Sequence, residues 1–195
     1  KERANAAFNA IAEAEAEIHG TTVDRVHLHE VGAVDAILDV VGSIWGLSEL
    51  GVSRVYCGTV ALGDGYVETA HGTLPVPAPA TLRLLEGQSV RPGPVGSGEL
   101  VTPTGAALVR VLSEGPPPAY IPSRSGYGAG TKDFAGRPNA LRIILADAAA
   151  TGEGTETLVQ LATDLDDMSA EHVADASEVL RRLGALDVTA TAVQM

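Results

Sequence analysis

The chain has 195 residues, 45% of them apolar and 19% charged, a balance that places it with globular rather than disordered proteins. Its net charge of −12 argues against binding a nucleic-acid backbone, which needs clustered Lys and Arg, so no nucleic-acid partner is expected. No run approaches a membrane span, no secretory signal opens the chain, and the lone Cys57 rules out an intrachain disulfide and suits a reducing cytoplasm.

In chain order, residues 1–19 set Ala4, Ala7, Phe8, Ile11, Ala14 and Ile18 at helical spacing, with Gly20 as the stop. A second helix is predicted from Asp35 to Leu50, its core stripe being Ile37, Leu38, Val41, Ile44, Trp45 and Leu47, ended by Gly51. Arg54 to Leu62 reads as a strand. Residues 63–79, GDGYVETAHGTLPVPAP, read as an irregular stretch in which Pro75, Pro77 and Pro79 forbid a central strand.

A short helix follows at 80–85. Another starts at TPTGAALVRVL, where Thr102 can cap and Pro103 suits the first helical position. After SGYGAG, residues 139–146 read as a strand. Residues 147–155 are a small, polar linker. Beyond it, strand–helix–strand patterning over 156–195 is half of a ferredoxin-like unit. The predicted fold class is therefore α+β: a mixed main domain over 1–146, then the first half of a ferredoxin-like domain. Lys1 at the start, and patterns that stop without a tail, suggest a fragment of a longer polypeptide.

Residues 27–42 read HLHEVGAVDAILDVVG. On an extended chain His27 and His29 point to one side and can share a borderline ion such as nickel or zinc. Asp35 and Asp39 lie one helical turn apart, so their carboxylates share a face. A helix cap at Asp35 and solvated histidines are the plainer alternative. His71 sits in a glycine-flanked, proline-stiffened segment that can position a functional side chain or simply pack.

GSGEL (96–100), TPTG (102–105) and GYGAG (126–130) are candidate backbone cradles for an anion, the second aided by a helix dipole. None is a phosphate-binding P-loop or a dinucleotide fingerprint. Asp164, Asp166 and Asp167, where a strand gives way to a helix, suit magnesium or manganese with a nucleotide triphosphate, or one of them caps that helix with Ser169 also available. Ten of the acids and only two Arg lie in 147–195.

Taken together, HLHEVGAVDAILDVVG, AHGTLPVPAPAT, ELVTPTGAAL, GYGAGTKD with PNALRI, and TDLDDMSAEH resemble, in order and wording, the LarC family over nearly all 195 residues. The resemblance implies a CTP-dependent nickel-inserting cyclometallase. Its substrate would be a pyridinium bis-thiocarboxylate mononucleotide, with CTP cleaved to CMP and pyrophosphate in the presence of manganese or magnesium. The product would be the nickel-pincer nucleotide of lactate racemase-type enzymes.

It further implies homo-oligomers formed through the C-terminal domain, and the sequence itself leads to the expectation of a cytoplasmic protein with no membrane partner. By ligand type, His27, His29 and Asp39 would then meet nickel, and Glu30, Asp35 and His71 would serve catalysis. Gly126, Gly128, Gly130, Lys132, Thr102 and Thr104 would bind the nucleotide-like ligand, and Asp164, Asp166 and Asp167 the second metal. A non-catalytic nickel carrier is the alternative.

Overall fold

A computed structural model describes residues 1–26, 34–69, 72–134, 136–149, 159–163, 165 and 167–191. The chain divides into two compact units, Lys1–Ala150 and Thr151–Met195. The first mixes helices with short strands, and the fold class is α+β.

Helix α1 spans Glu2–Ile18 and α2 Val34–Glu49. Gly20 and Gly51, at φ 60° and 68°, take the left-handed conformation that ends each helix. Strands β1 (Val60–Ala61), β2 (Gly63–Asp64), β3 (Tyr66–Thr69) and β4 (Gly72–Pro75) follow, then α3 (Pro79–Leu84). Next come β5 (Val90–Arg91), β6 (Gly98–Glu99), α4 (Pro103–Leu112), and the long β7 (Tyr120–Ala129) and β8 (Ala140–Ala148). The strands pair two by two: β1 with β5 in parallel, and β2 with β6, β3 with β4 and β7 with β8 antiparallel.

The core is built on small side chains. Ala7, Ile11 and Ala14 of α1 meet Ala106 and Ala107 of α4, with Val40, Leu84, Leu85 and Val101 filling around them. Alanine at the crossing lets the helices approach closely. Ile11, Val40 and Leu84 are fully buried and supply the larger hydrophobic terms, about 1.5–3 kcal/mol each.

Four sequence expectations change. Helix α2 turns Ala36 and Val40 to the core, whereas Leu38 and Trp45 are 66% and 64% exposed, and Ile37 and Val41 are also exposed. Ile44 does pack on the core. The helix carries apolar residues on two faces, and the alanine-lined core accepts the slimmer one. Within 54–62 only Val60 and Ala61 form a strand, because their partner β5 is itself two residues long. The stretch expected to be irregular contains the β3–β4 hairpin, in register from Tyr66↔Pro75 to Thr69↔Gly72, with proline only at its end.

GYGAG, expected as a backbone anion cradle, lies largely in β7, with Gly126 opposite Ile143 and Gly128 opposite Leu141. The branched residues of β8 supply the strand preference that glycine lacks.

In the second unit, α5 spans Ala170–Arg182, and Ser169 Oγ accepts from the His172 amide at 3.3 Å. The described stretches flanking it, 159–163 and 185–191, carry no ladder hydrogen bonds among the described residues. Among the described residues no helix is long and apolar enough to cross a membrane.

Candidate functional site

The first unit contains a cleft of about 270 Å³ lined from four directions. Helix α2 contributes Asp35, Ala36 and Asp39, β3 contributes Val67, Glu68 and Thr69, β6 contributes Glu99, and the start of α4 contributes Thr102, Pro103 and Thr104. Ala78 completes the lining. The one-turn spacing of Asp35 and Asp39 brings both to the cleft, as the helical period requires.

Each wall has a local reason. Asp35 Oδ1 accepts the Ala36 amide at 2.9 Å, so one carboxylate oxygen is engaged at the first turn of α2. Thr102 caps α4: its Oγ1 accepts the Gly105 amide at 3.2 Å and lies 3.0 Å from Thr104 Oγ1. Pro103 at the first helical position has no N–H to satisfy. Glu68 is held on the hairpin by Thr73, whose hydroxyl donates to Glu68 Oε1 at 2.6 Å.

The cleft is bipolar. Four carboxylates line one side, whereas the helix dipole at the α4 N-terminus, beside Thr102 and Thr104, favours a negative group. Among the described residues no three His, Cys, Asp or Glu side chains converge to hold a metal ion.

Of the residues singled out from sequence, Asp35, Asp39, Thr102 and Thr104 meet in this cleft. Lys132 lies in the turn after β7, where its carbonyl accepts from Asn139 Nδ2 at 3.0 Å. Its Nζ comes within 3.9 Å of where a Cβ on Gly98 would sit, beside the Glu99 wall. Gly126 and Gly128 are in the β7 ladder, and Gly130, just past it, donates its amide to the Asn139 carbonyl at 2.9 Å. In GSGEL the Gly96 amide donates to Asp64 Oδ2 at 2.8 Å and is spent there.

Asp167 precedes the α5 cap, which is Ser169. His27, His29, Glu30, His71, Asp164 and Asp166 lie outside the described residues. Sequence reasoning missed Glu68, Thr69 and Glu99. The alternating exposure of YVET, pairing with GTLP, was the signal for the first two.

Elsewhere, Cys57 is half-buried, and burial pushes its thiol pKa upward. Arg83 pairs with Glu17 and Glu86, clipping α3 to α1 and holding the Glu86 carboxyl below the usual range.

Fold and cleft together define an α+β protein with an acid-lined cleft that closes on a helix N-terminus. Compared with known families, residues 1–195 match the model described as nickel insertion protein. The chain belongs to the nickel insertion protein family, the LarC family. Each relative named next carries the description "Putative nickel insertion protein". That of Geotalea daltonii is 52% identical over 198 residues, covering 100% of this chain and 50% of the relative. That of Citrifermentans bemidjiense is 48% identical over 197 residues, covering 100% and 51%. That of Thermomicrobium roseum is 47% identical over 197 residues, covering 100% and 48%. The chain thus spans about half the length of these relatives. No solved structure matches it.

Proposed function

We propose that the protein inserts nickel into an organic acceptor and that the metal enters through the acid-lined cleft. One observation carries this reading. Carboxylates from three elements, Asp35, Asp39, Glu68 and Glu99, line one cleft of a chain that matches the nickel insertion family along its whole length.

Oxygen donors attract a divalent ion without the tight grip of a thiolate site, which suits a metal that must be handed on. Imidazoles would raise the preference for nickel. The chain links His71 directly to Gly72, the hairpin partner of cleft residue Thr69, and Asp35 follows six residues after His29. His27, His29 and His71 are therefore the natural completing ligands or bases, with Asp39.

At the finer level, the reaction is CTP-dependent cyclometallation of a pyridinium bis-thiocarboxylate mononucleotide. Nickel forms one bond to ring carbon and two to sulfur. The C–H bond breaks, and its proton passes to a base among Glu30, Asp35 and His71. Thr102, Thr104 and Lys132, with the glycines of the 126–130 stretch, receive the negative part of the acceptor. Asp164, Asp166 and Asp167 hold manganese or magnesium with CTP, which is cleaved to CMP and pyrophosphate. The protein works in the cytoplasm as a homo-oligomer and supplies the nickel-pincer nucleotide to lactate racemase-type enzymes.

The test mixes intact protein, acceptor, nickel, manganese and CTP, and follows product absorbance together with CMP release. Both signals are expected, and both must vanish when CTP is omitted. Nickel uptake with neither signal would make the protein a carrier instead.

A further inference from the structure

Helix α2 carries an apolar seam that the core of the first unit does not use. Val34, Leu38, Val41 and Trp45 recur at alternating spacings of four and three, the repeat by which one helix seats on another element, and Ile37 lies beside them. Val34, Leu38 and Trp45 are 71%, 66% and 64% exposed. The helical period sets this seam opposite Ala36 and Val40, which enter the core, with the cleft residues Asp35 and Asp39 between the two sides.

The β7–β8 ribbon shows the same want of cover independently. Every residue of β7 is exposed, and in β8 only Leu145 is partly buried. Leu141 and Ile143 stand opposite Gly128 and Gly126, which have no side chains to shield them. Among the described residues the two strands pair only with each other, and a two-stranded ribbon by itself is marginally stable in water. The first unit therefore leaves apolar surface open at two places.

Area and length decide what covers the seam. Helix α2 has 16 residues and is about 24 Å long, so its seam offers on the order of a few hundred Å², against roughly 800 Å² per partner in a stable complex of separate molecules. That is too little to hold a second copy, which must also offset its lost freedom of motion. A segment tethered in the same chain is already at high effective concentration and needs no such area. The relatives carry about as much chain again beyond the part matched here. We propose that the α2 seam is an internal docking surface, covered in the intact protein by an apolar segment of that additional chain. The surface is independent of the nickel reading.

The test replaces Trp45 with the photo-crosslinker p-benzoylphenylalanine in the intact protein, as a mixture of isotope-labelled and unlabelled copies, and maps the crosslinks by mass spectrometry. Crosslinks within one copy, to residues outside these 195, are expected. Crosslinks between copies, crosslinks confined to these 195 residues, or none at all would each overturn the proposal. A second measurement compares Leu38→Glu with Val95→Glu, a control at a 96% exposed position. Leu38→Glu is expected to lower the Tm of the intact protein by about 5 °C or more, and Val95→Glu to leave it within about 1 °C. An unchanged Tm for Leu38→Glu would overturn the proposal equally. Should that variant not fold, the crosslinks alone decide.

Discussion

Thr73 and Glu68 face each other across the β3–β4 hairpin, and the Thr73 hydroxyl donates to Glu68 Oε1 at 2.6 Å. The bond fixes the direction of a carboxylate that lines the cleft. Thr73→Val keeps the β-branched shape and removes the donor. Because the pair is exposed, the change should cost about 0.5–1 kcal/mol of stability in urea unfolding, while nickel affinity falls by about two- to fivefold. Unchanged affinity would mean that Glu68 is oriented by something else.

Thr81 presents the opposite case. It is fully buried, and its Oγ1 has no hydrogen-bond partner among the described residues. A buried hydroxyl without a partner opposes folding, so Thr81→Val, nearly the same shape, should leave stability unchanged or raise it by about 1 kcal/mol. Thermal unfolding checks this. A clear drop in Tm would reveal a partner for the hydroxyl.

Thr102 caps the α4 N-terminus and lines the cleft. Thr102→Ala removes the cap to the Gly105 amide and should cost about 1 kcal/mol, whereas Thr102→Ser should restore most of it. The alanine variant should also weaken binding of the anionic part of the acceptor, read as a rise in KM that the serine variant reverses.

Which of these features could be read in advance follows from how local they are. The Thr102–Pro103 start of α4 and the glycine stops after α1 and α2 are set by neighbouring residues, so the sequence announces them. The buried face of α2 is not local: Leu38 and Trp45 look like core until the alanines of α1 and α4 select Ala36 and Val40 instead. Likewise GYGAG reads as a backbone anion cradle because its strand character comes from Leu141 and Ile143, more than a dozen residues away.

In the cleft, Asp35 and Asp39 announce themselves by helical spacing. Glu68 and Glu99 are single acids in unrelated stretches that only the β2–β6 and β3–β4 pairings bring to one place.

Cys57 offers a pH readout. Its amide donates to the Gly115 carbonyl at 3.0 Å, and burial raises its thiol pKa by disfavouring the thiolate. The folded protein should therefore react with iodoacetamide along a curve whose inflection lies above the ordinary thiol value of about 8.5, and urea should move it back to that value. The corresponding stability falls as pH rises past the unfolded thiol's pKa, because only the unfolded chain ionises there freely. An inflection at or below the ordinary value would contradict the burial.

The central claim is that the cleft between α2, β3, β6 and α4 receives nickel for transfer. Radiolabelled nickel passed from the intact protein to its organic acceptor, with Asp35→Asn/Asp39→Asn compared against wild type, tests it most directly. Neither substitution changes side-chain size, so the fold should persist while transfer falls by about tenfold to a hundredfold. A folded double variant that transfers nickel at the wild-type rate would contradict the claim.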